Sequence, residues 1–373
     1  MAPTNPTVRG ALSKAQGAKR GGRSAVMLRV PKGKSVEGYA KELELSDPAV
    51  IAASPNYVRT PTYASPPNDP SYGNTETWSS GGTDYAYAKS WWLRNQSMET
   101  MWTAMNATTY GLRATGEDIK VAVIDTGFYM NHPDRGANIV VGKDEFQSYS
   151  AGVYTTDMDV TPVPPDAPLN TLNIASHGTM VAGQISAATD NSVGVSSLSY
   201  DTTVLVYKVH GIWVEGWPAG GYPAGSAVML DGAIINAIID ATDAGAKIIN
   251  MSLGGPNYSS AMQAAIDYAW SNGVLVVAAT GNDGAENGVL YPGANNHVVG
   301  VGAYALDASG DRIRSSFTNY GLGGDPGAAG ANNGRLDILA PGTLIWGLTK
   351  PDYDADGSGT LYQPGYKFWS GTS

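Results

Sequence analysis

From about residue 118 onward the chain alternates short, almost wholly apolar runs with longer stretches of helical periodicity, and few folds accept that pattern. The apolar runs are IKVAVI (119–124), TVLVYKV (203–209), AKIINMSL (246–253), GVLVVAAT (273–280) and HVVGVGAY (297–304). They have strand length, are rich in Val and Ile, and lack a polar face, as strands buried on both sides do. Between them the spacing predicts helices over 176–187, 230–243 and 259–271, with Gly245 and Gly273 placed to end the last two in a left-handed cap. Strands that alternate with helices in this way pack as an α/β doubly wound parallel sheet with helices on both faces. In such sheets functional groups collect outside the carboxyl ends of the strands.

The remaining sequence divides around that core. Residues 1–23 are small, polar and basic, which reads as a disordered tail without the apolar centre of a secretory leader. Residues 24–60 read as strand, helix, strand, a small α+β segment. Residues 61–90 follow a run rich in Pro, Ser and Asn and read as a linker and the start of the main chain, and residues 91–373 as the large domain. Two Gly-rich insertions, 210–229 and 320–335, interrupt the rhythm as surface loops. Lys and Arg number 23 against 33 Asp and Glu, a formal charge of −10. That balance gives no electrostatic pull toward nucleic acid and is compatible with bound cations. The chain has no cysteine, which excludes disulfides, thiolate metal sites and cysteine nucleophiles. No apolar run reaches membrane-spanning length.

Three residues carry the chemistry. Asp125 ends the first core strand in VAVIDTG, His177 opens the helix SHGTMVAGQISA, and Ser373 stands in FWSGTS. Taken singly, each has a plain structural use: an Asp at a strand end is commonly a turn or cap residue, a lone His is commonly structural, and SGTS is an ordinary small-residue loop. Together they supply a hydroxyl to attack, an imidazole to take its proton, and a carboxylate to fix the imidazole tautomer, which are the requirements of acyl transfer. The small residues Gly178, Ala182, Gly183 and Ala187 give the histidine's helix a face that can approach a sheet closely.

The segments IDTG, HGTMVAG and SGTS, in that order, resemble the three signature segments of the subtilase family, and the similarity extends over roughly residues 90–373. INMSLGG (249–255), VVAATGNDG (276–284), SFTNYG (316–321) and DILAPG (337–342) support it. The resemblance implies a subtilisin-like fold and a serine endopeptidase that cuts proteins or peptides through an acyl-enzyme, with Asp125, His177 and Ser373 as triad. It implies that Asn282 and the Ser373 N–H bind the oxyanion. Ser252, Leu253, Gly254 and Gly255 form the edge that pairs with substrate backbone. Ala278, Ala279 and Gly281 line the pocket for the residue before the scissile bond, and their small apolar walls suggest tolerance of large apolar or aromatic side chains.

The resemblance also implies a structural calcium held by the carbonyls of Thr189, Val193 and Val195, the side chain of Asn191, and the carboxylate of Asp134. A second acidic run, DYDADGSG (352–359), with Asp352, Asp354 and Asp356, reads as a solvated turn, with calcium as the alternative. Residues 24–60 are similar to the latter part of a subtilase propeptide, which implies a zymogen inhibited by its own propeptide. The family further implies a secreted, monomeric protein. In the family the serine begins a buried helix, whereas here nothing follows Ser373. The expectation is an N-terminal fragment ending at the nucleophile, with little or no activity by itself. Two other readings stand beside this one: a non-catalytic peptide binder on the same fold, and a sedolisin-type enzyme, against which His177 speaks because that type uses Glu as base.

Overall fold

Three successive residues of one strand, Ala122, Val123 and Ile124, are fully buried, yet they belong alternately to two different hydrophobic cores. Both faces of the sheet are therefore covered, and the computed structural model shows by what. It describes residues 31–46, 67–73, 75–80, 83–106, 115–150, 153–157, 176–212, 227–321, 336–349 and 365–373. The chain separates into two compact units, Met1–Thr62 and Tyr63–Ser373. Of the first, the described part is helix α1 (Val36–Ser46), which buries Tyr39, Ala40 and Leu43 and carries a Lys34–Glu42 ion pair. The flanking strands expected there, the basic tail 1–23, most of both Gly-rich insertions and the acidic run 352–359 lie outside the described residues.

The second unit is built on one sheet. Its parallel strands are β3 (Lys120–Asp125), β4 (Ile139–Ser150), β6 (Thr203–Lys208), β9 (Ile248–Met251), β10 (Leu275–Ala279), β11 (Val298–Leu306) and β13 (Ile338–Pro341). Their spatial order is β4-β6-β3-β9-β10-β11-β13. Two antiparallel strands close the ends: β5 (Val153–Asp157) pairs with β4, and β12 (Arg312–Arg314) pairs with β11. Up to β6 the chain builds on one side of β3, and from β9 onward on the other. Asp125, the last residue of β3, stands at that reversal, where a crevice opens in folds of this kind. The five strands and three helices read from the sequence are present within a residue or two of the expected bounds. The structure adds β4, β5, β12 and β13, and three antiparallel ribbons: β1 (Thr75–Ser80) with β2 (Thr83–Ala88), β7 (His210–Ile212) with β8 (Ala227–Met229), and β14 (Ile345–Leu348) with β15 (Tyr366–Trp369). The ends of the first Gly-rich insertion are thus a paired ribbon, where the sequence reading placed a surface loop.

The two faces bury different material. Past α2 (Pro70–Gly73), the helices α3 (Trp91–Asn95), α4 (Met98–Asn106) and α5 (His177–Ser186) cover one face. Trp91, Trp92, Leu93, Met98 and Trp102 pack there with Val123, Val204 and Val206. The helices α6 (Asp231–Asp243) and α7 (Ser260–Ser271) cover the other with Ile234, Ile238 and Ile266 against Ile124, Ile249 and Val276. Gly245 (φ +82°) and Gly273 (φ +75°) end α6 and α7 in the left-handed conformation. Ser259 caps α7, its hydroxyl accepting from Met262 N at 3.3 Å.

Candidate active site

The imidazole of His177 lies against the carboxylate of Asp125, with Nδ1 at 2.9 Å from Oδ1 and 3.0 Å from Oδ2. The two residues are 52 apart in sequence, and the close packing of α5 on the end of β3 brings them together. Gly178 permits that packing: a Cβ there would collide with the Gly127 carbonyl oxygen and come within 3.1 Å of Asp125 Oδ1. Asp125 is 0% exposed, whereas the His177 side chain keeps 24% exposure. The carboxylate also accepts from Thr126 N at 2.7 Å, and the Thr126 hydroxyl accepts from Gly178 N at 2.8 Å. A carboxylate on Nδ1 leaves Nε2 to face the crevice with its lone pair.

Burial works against protonating His177, but the charge of Asp125 and its hydrogen bond outweigh it. The pKa is raised above the ordinary value despite opposition from Lys367. Lys367 reaches the site through Trp369. Its Nζ sits 3.7 Å from the centre of that ring, whose edge meets His177 at 6.2 Å between ring centres. Burial lowers the Lys367 pKa to about 8. A second histidine, His210, lies 1% exposed close enough to feel both Asp125 and His177. Burial lowers its pKa to about 4, so it places no second positive charge beside the pair near neutral pH.

Ser373 is docked by the residues before it. Leu344 N donates to Ser370 Oγ at 2.9 Å, Gly371 N to Gly342 O at 2.8 Å, and Gly281 N to Thr372 Oγ1 at 3.1 Å. Thr372 N donates to Asn282 Oδ1 at 2.8 Å. That bond fixes the Asn282 amide with its oxygen toward Thr372, leaving the NH2 end free to donate elsewhere. Ser373 Oγ donates to Ser252 O at 3.3 Å, which joins the serine to the 252–255 edge. The turn carrying Asn282 is held by Asn319 of SFTNYG, whose Oδ1 accepts from Asp283 N at 2.8 Å and Ala285 N at 3.0 Å.

Ser252–Gly255 leave the carboxyl end of β9, and Ala278–Gly281 leave that of the adjacent β10. Both runs end beside Ser373 and Asn282, and Leu290, which the sequence reading passed over, touches both. A Cβ on Gly254 would lie 3.0 Å from Leu290 Cβ, and one on Gly281 would lie 2.9 Å from Leu290 Cδ1 and Cγ.

The five residues named for calcium gather in one place away from this site. Asp134, 0% exposed, accepts from Asn191 Nδ2 at 3.0 Å and Val195 N at 2.8 Å. The loop winds through positive φ at Asp190, Ser192 and Gly194. A side chain at Gly194 would strike both the Tyr366 hydroxyl and Asp134 Oδ2. Asp69, which the sequence reading left inside a linker, is buried here as well. It accepts from Asp190 N at 2.9 Å, Asn191 N at 3.1 Å and Ser196 Oγ at 2.7 Å. Burial first, then the charge of Asp69, lifts the pKa of Asp134 to about 7 against the pull of its donors. No group of three or more His, Cys, Asp or Glu side chains placed to hold a metal ion occurs among the described residues, so a cation here depends on carbonyl and amide oxygens as well.

A sequence profile of the subtilase family matches residues 116–373, well over half of the chain. The chain belongs to the subtilase family. Among curated subtilases, it is 30% identical to a thermophilic serine proteinase of Bacillus sp. (strain AK1) over 316 residues, covering 83% of this chain and 59% of that protein. It is 31% identical to thermitase of Thermoactinomyces vulgaris, with 66% of this chain and 71% of thermitase covered. Against the Bacillus proteinase, therefore, the chain spans less than two thirds of the relative's length. A solved structure of a protease from Pseudoalteromonas arctica PAMC 21717 superimposes with a TM-score of 0.55 at 27% identity, covering 83% of each chain. Sphericase gives 0.51 at 28% identity, over 73% of this chain and 77% of its own.

Within this subtilase, Asp69, Asn319, Leu290 and Lys367 escaped the sequence reading. Asn319 alone had a signal, since it lies inside a motif that the reading singled out. Asp69 acts on residues 121 and more positions away, a distance at which spacing carries no information.

Proposed function

We propose that this subtilase hydrolyses peptide bonds as a serine endopeptidase. The observation that carries the reading is the Asp125–His177 pair at the reversal of strand order, with Trp369 of the Ser373 segment against the His177 ring and the Asn282 amide held by Thr372. Ser373 Oγ attacks the scissile carbonyl as its proton passes to His177 Nε2. Asp125 holds Nδ1–H and stabilises the imidazolium. The developing oxyanion accepts from Asn282 Nδ2 and the Ser373 N–H. His177 then protonates the leaving amine, and a water activated by the same imidazole releases the acyl group. Substrate backbone pairs with Ser252, Leu253 and Gly254 by strand addition, the Gly255 N–H and carbonyl being taken up by Tyr291, with Ala278, Ala279 and Gly281 lining the neighbouring pocket.

The assay is hydrolysis of a casein or peptide substrate by polypeptides that end at Ser373 and that continue past it. Activity abolished by Ser373→Ala is expected of the longer form. A chain ended at Ser373 carries a carboxylate beside the oxyanion donors. Two like charges about 4 Å apart repel by about 4 kcal/mol at an effective dielectric near 20, so little activity is expected of that form. Retention of a peptide without cleavage by the longer form would instead favour the binding-module reading.

Calcium belongs to the same proposal. Asp134 and Asp69 form a buried carboxylate pair whose hydrogen-bond donors among the described residues are backbone N–H, amide and hydroxyl groups, which fits a hard cation that takes oxygen ligands. The carbonyls of Thr189, Val193 and Val195, the Asn191 side chain and Asp134 are the proposed ligands, and the charge supplied there is structural. Residues 24–60 are proposed as a propeptide remnant that inhibits the groove, and the protein as secreted and monomeric. No helix among the described residues is long and apolar enough to cross a membrane.

A further inference from the structure

The pocket wall read at Gly281 and the substrate-pairing edge read at Gly254 are both bare, since neither glycine carries a side chain. The structure shows what fills the resulting gap. The segment 288–294 crosses from one wall to the other and is pinned at both. Tyr291 exchanges backbone hydrogen bonds with Gly255, N to O at 2.9 Å and O from N at 2.8 Å, while Leu290 N donates to Thr280 O at 3.0 Å. Asn319 Nδ2 holds Gly288 O at 2.9 Å, and Ala294 N donates to Leu290 O at 3.0 Å. Between these anchors the Leu290 side chain bridges the walls. Its Cβ lies 3.0 Å from where a Gly254 Cβ would stand, and its Cγ and Cδ1 lie 2.9 Å from where a Gly281 Cβ would stand, with Asn319 Nδ2 closer still to the latter. Gly281 has φ +105°, so a larger residue there is strained whatever the space. Leu290 itself is half-buried, whereas its neighbour Val289 is fully buried. Val289 is core, and Leu290 is left lining accessible space.

We infer that Leu290 is the floor of this pocket and shortens it, so that the polypeptides cut by this subtilase carry a small side chain, of alanine size, before the scissile bond. This rests on the peptidase reading and narrows it. It also reverses the preference that the small walls alone suggest. An isobutyl group between two glycine faces occupies the volume that a large apolar side chain would need. Backbone bonds on both sides of Leu290 keep the segment from retreating. Discrimination in such a pocket is steric: a side chain that enters only by displacing a packed leucine loses contacts and forces off-rotamer geometry.

The test is a peptide series that differs only in the residue before the cleaved bond, Ala, Val, Leu or Phe, hydrolysed by the full protein. The expected result is a kcat/KM for Ala that exceeds that for Phe by at least about tenfold. Leu290→Gly should invert the order, with Phe gaining by about the same factor, and Leu290→Ala should fall between. Both variants are checked for fold by stoichiometric reaction of Ser373 with a fluorophosphonate, so that a lost preference is not confused with a lost structure. Cleavage after Phe as fast as after Ala in the parent would overturn the inference and leave the peptidase reading standing. So would an unchanged Ala-to-Phe ratio in two variants that still react. Absence of both hydrolysis and labelling in the parent would overturn the peptidase reading, and this inference with it.

Discussion

Asp125 and Asp134 are both 0% exposed aspartates, and their surroundings could hardly differ more. Asp125 faces an imidazole that can take up a proton and that keeps a window to solvent. Asp134 faces an asparagine amide, a backbone N–H and a tyrosine hydroxyl, with a second carboxylate, Asp69, nearby. At the first position the buried charge meets a titratable partner, and the partner's pKa rises. At the second it meets dipoles and a like charge, and burial together with Asp69 raises the carboxyl's own pKa to about 7. The same residue type under the same burial is the partner of a titratable imidazole in one place and an unbalanced charge in the other. What decides is whether a countercharge is built into the chain or must come from outside.

The isosteric change Asp→Asn at the two positions is the sharpest way to break this contrast. Asp125→Asn should lower kcat/KM by about 10⁴-fold, because an amide at that position favours the wrong imidazole tautomer. The acid limb of the pH–rate profile should also move to lower pH. On the proposed mechanism neutral His177 is the base, so activity should fall as pH drops through its pKa. Removing the carboxylate removes what holds that pKa up. A variant with wild-type kcat/KM would dissolve the distinction between the two aspartates. The next effect in size belongs to Asn282→Ala, which should reduce kcat by about 10²–10³-fold, with KM little changed, if the amide fixed by Thr372 serves the oxyanion.

Calcium removal tests the other side of the contrast. A ligand at about 100 times its Kd stabilises by about 2.7 kcal/mol, so excess EDTA should lower the melting temperature by several degrees. Asp134→Asn should melt lower from the start and show little further response to EDTA. An EDTA response of the same size in that variant would remove Asp134 from the site. The smallest expected effect is that of Lys367→Met. Its charge, stacked on Trp369, opposes protonation of His177, so its loss should raise the acid limb by a few tenths of a pH unit. A shift in the opposite direction would mean that desolvation of the pair, not the lysine charge, dominates there.

What could be read from the sequence follows from the same physics. The strands β3, β6, β9, β10 and β11 were legible because burial on both faces leaves a continuous apolar run. Gly245 and Gly273 marked helix ends because the left-handed cap demands glycine. By contrast, β4 was not legible: its IVVGKDEFQSYS mixes apolar and charged residues. Ion pairs with other elements, Lys143 with Asp240 of α6 and Asp144 with Lys208 on the neighbouring β6, accommodate those charges. The candidate triad stood out through motif order, a property of the line. Asp69 and Leu290 did not, since their importance lies in contacts across the fold, with the 190–196 loop and with two glycines on separate strands. Close approach to glycine leaves no mark at the residue that does the approaching.

The most direct measurement of the central claim is reaction with a fluorophosphonate followed by peptide mapping, in the form that continues past Ser373, here the parent, and in its Asp125→Asn variant. The account predicts one adduct, on Ser373, formed rapidly in the parent, more slowly below the pKa of His177, and far more slowly in the variant. A folded parent that forms no adduct, or forms it on another serine at a rate indifferent to Asp125, would contradict it.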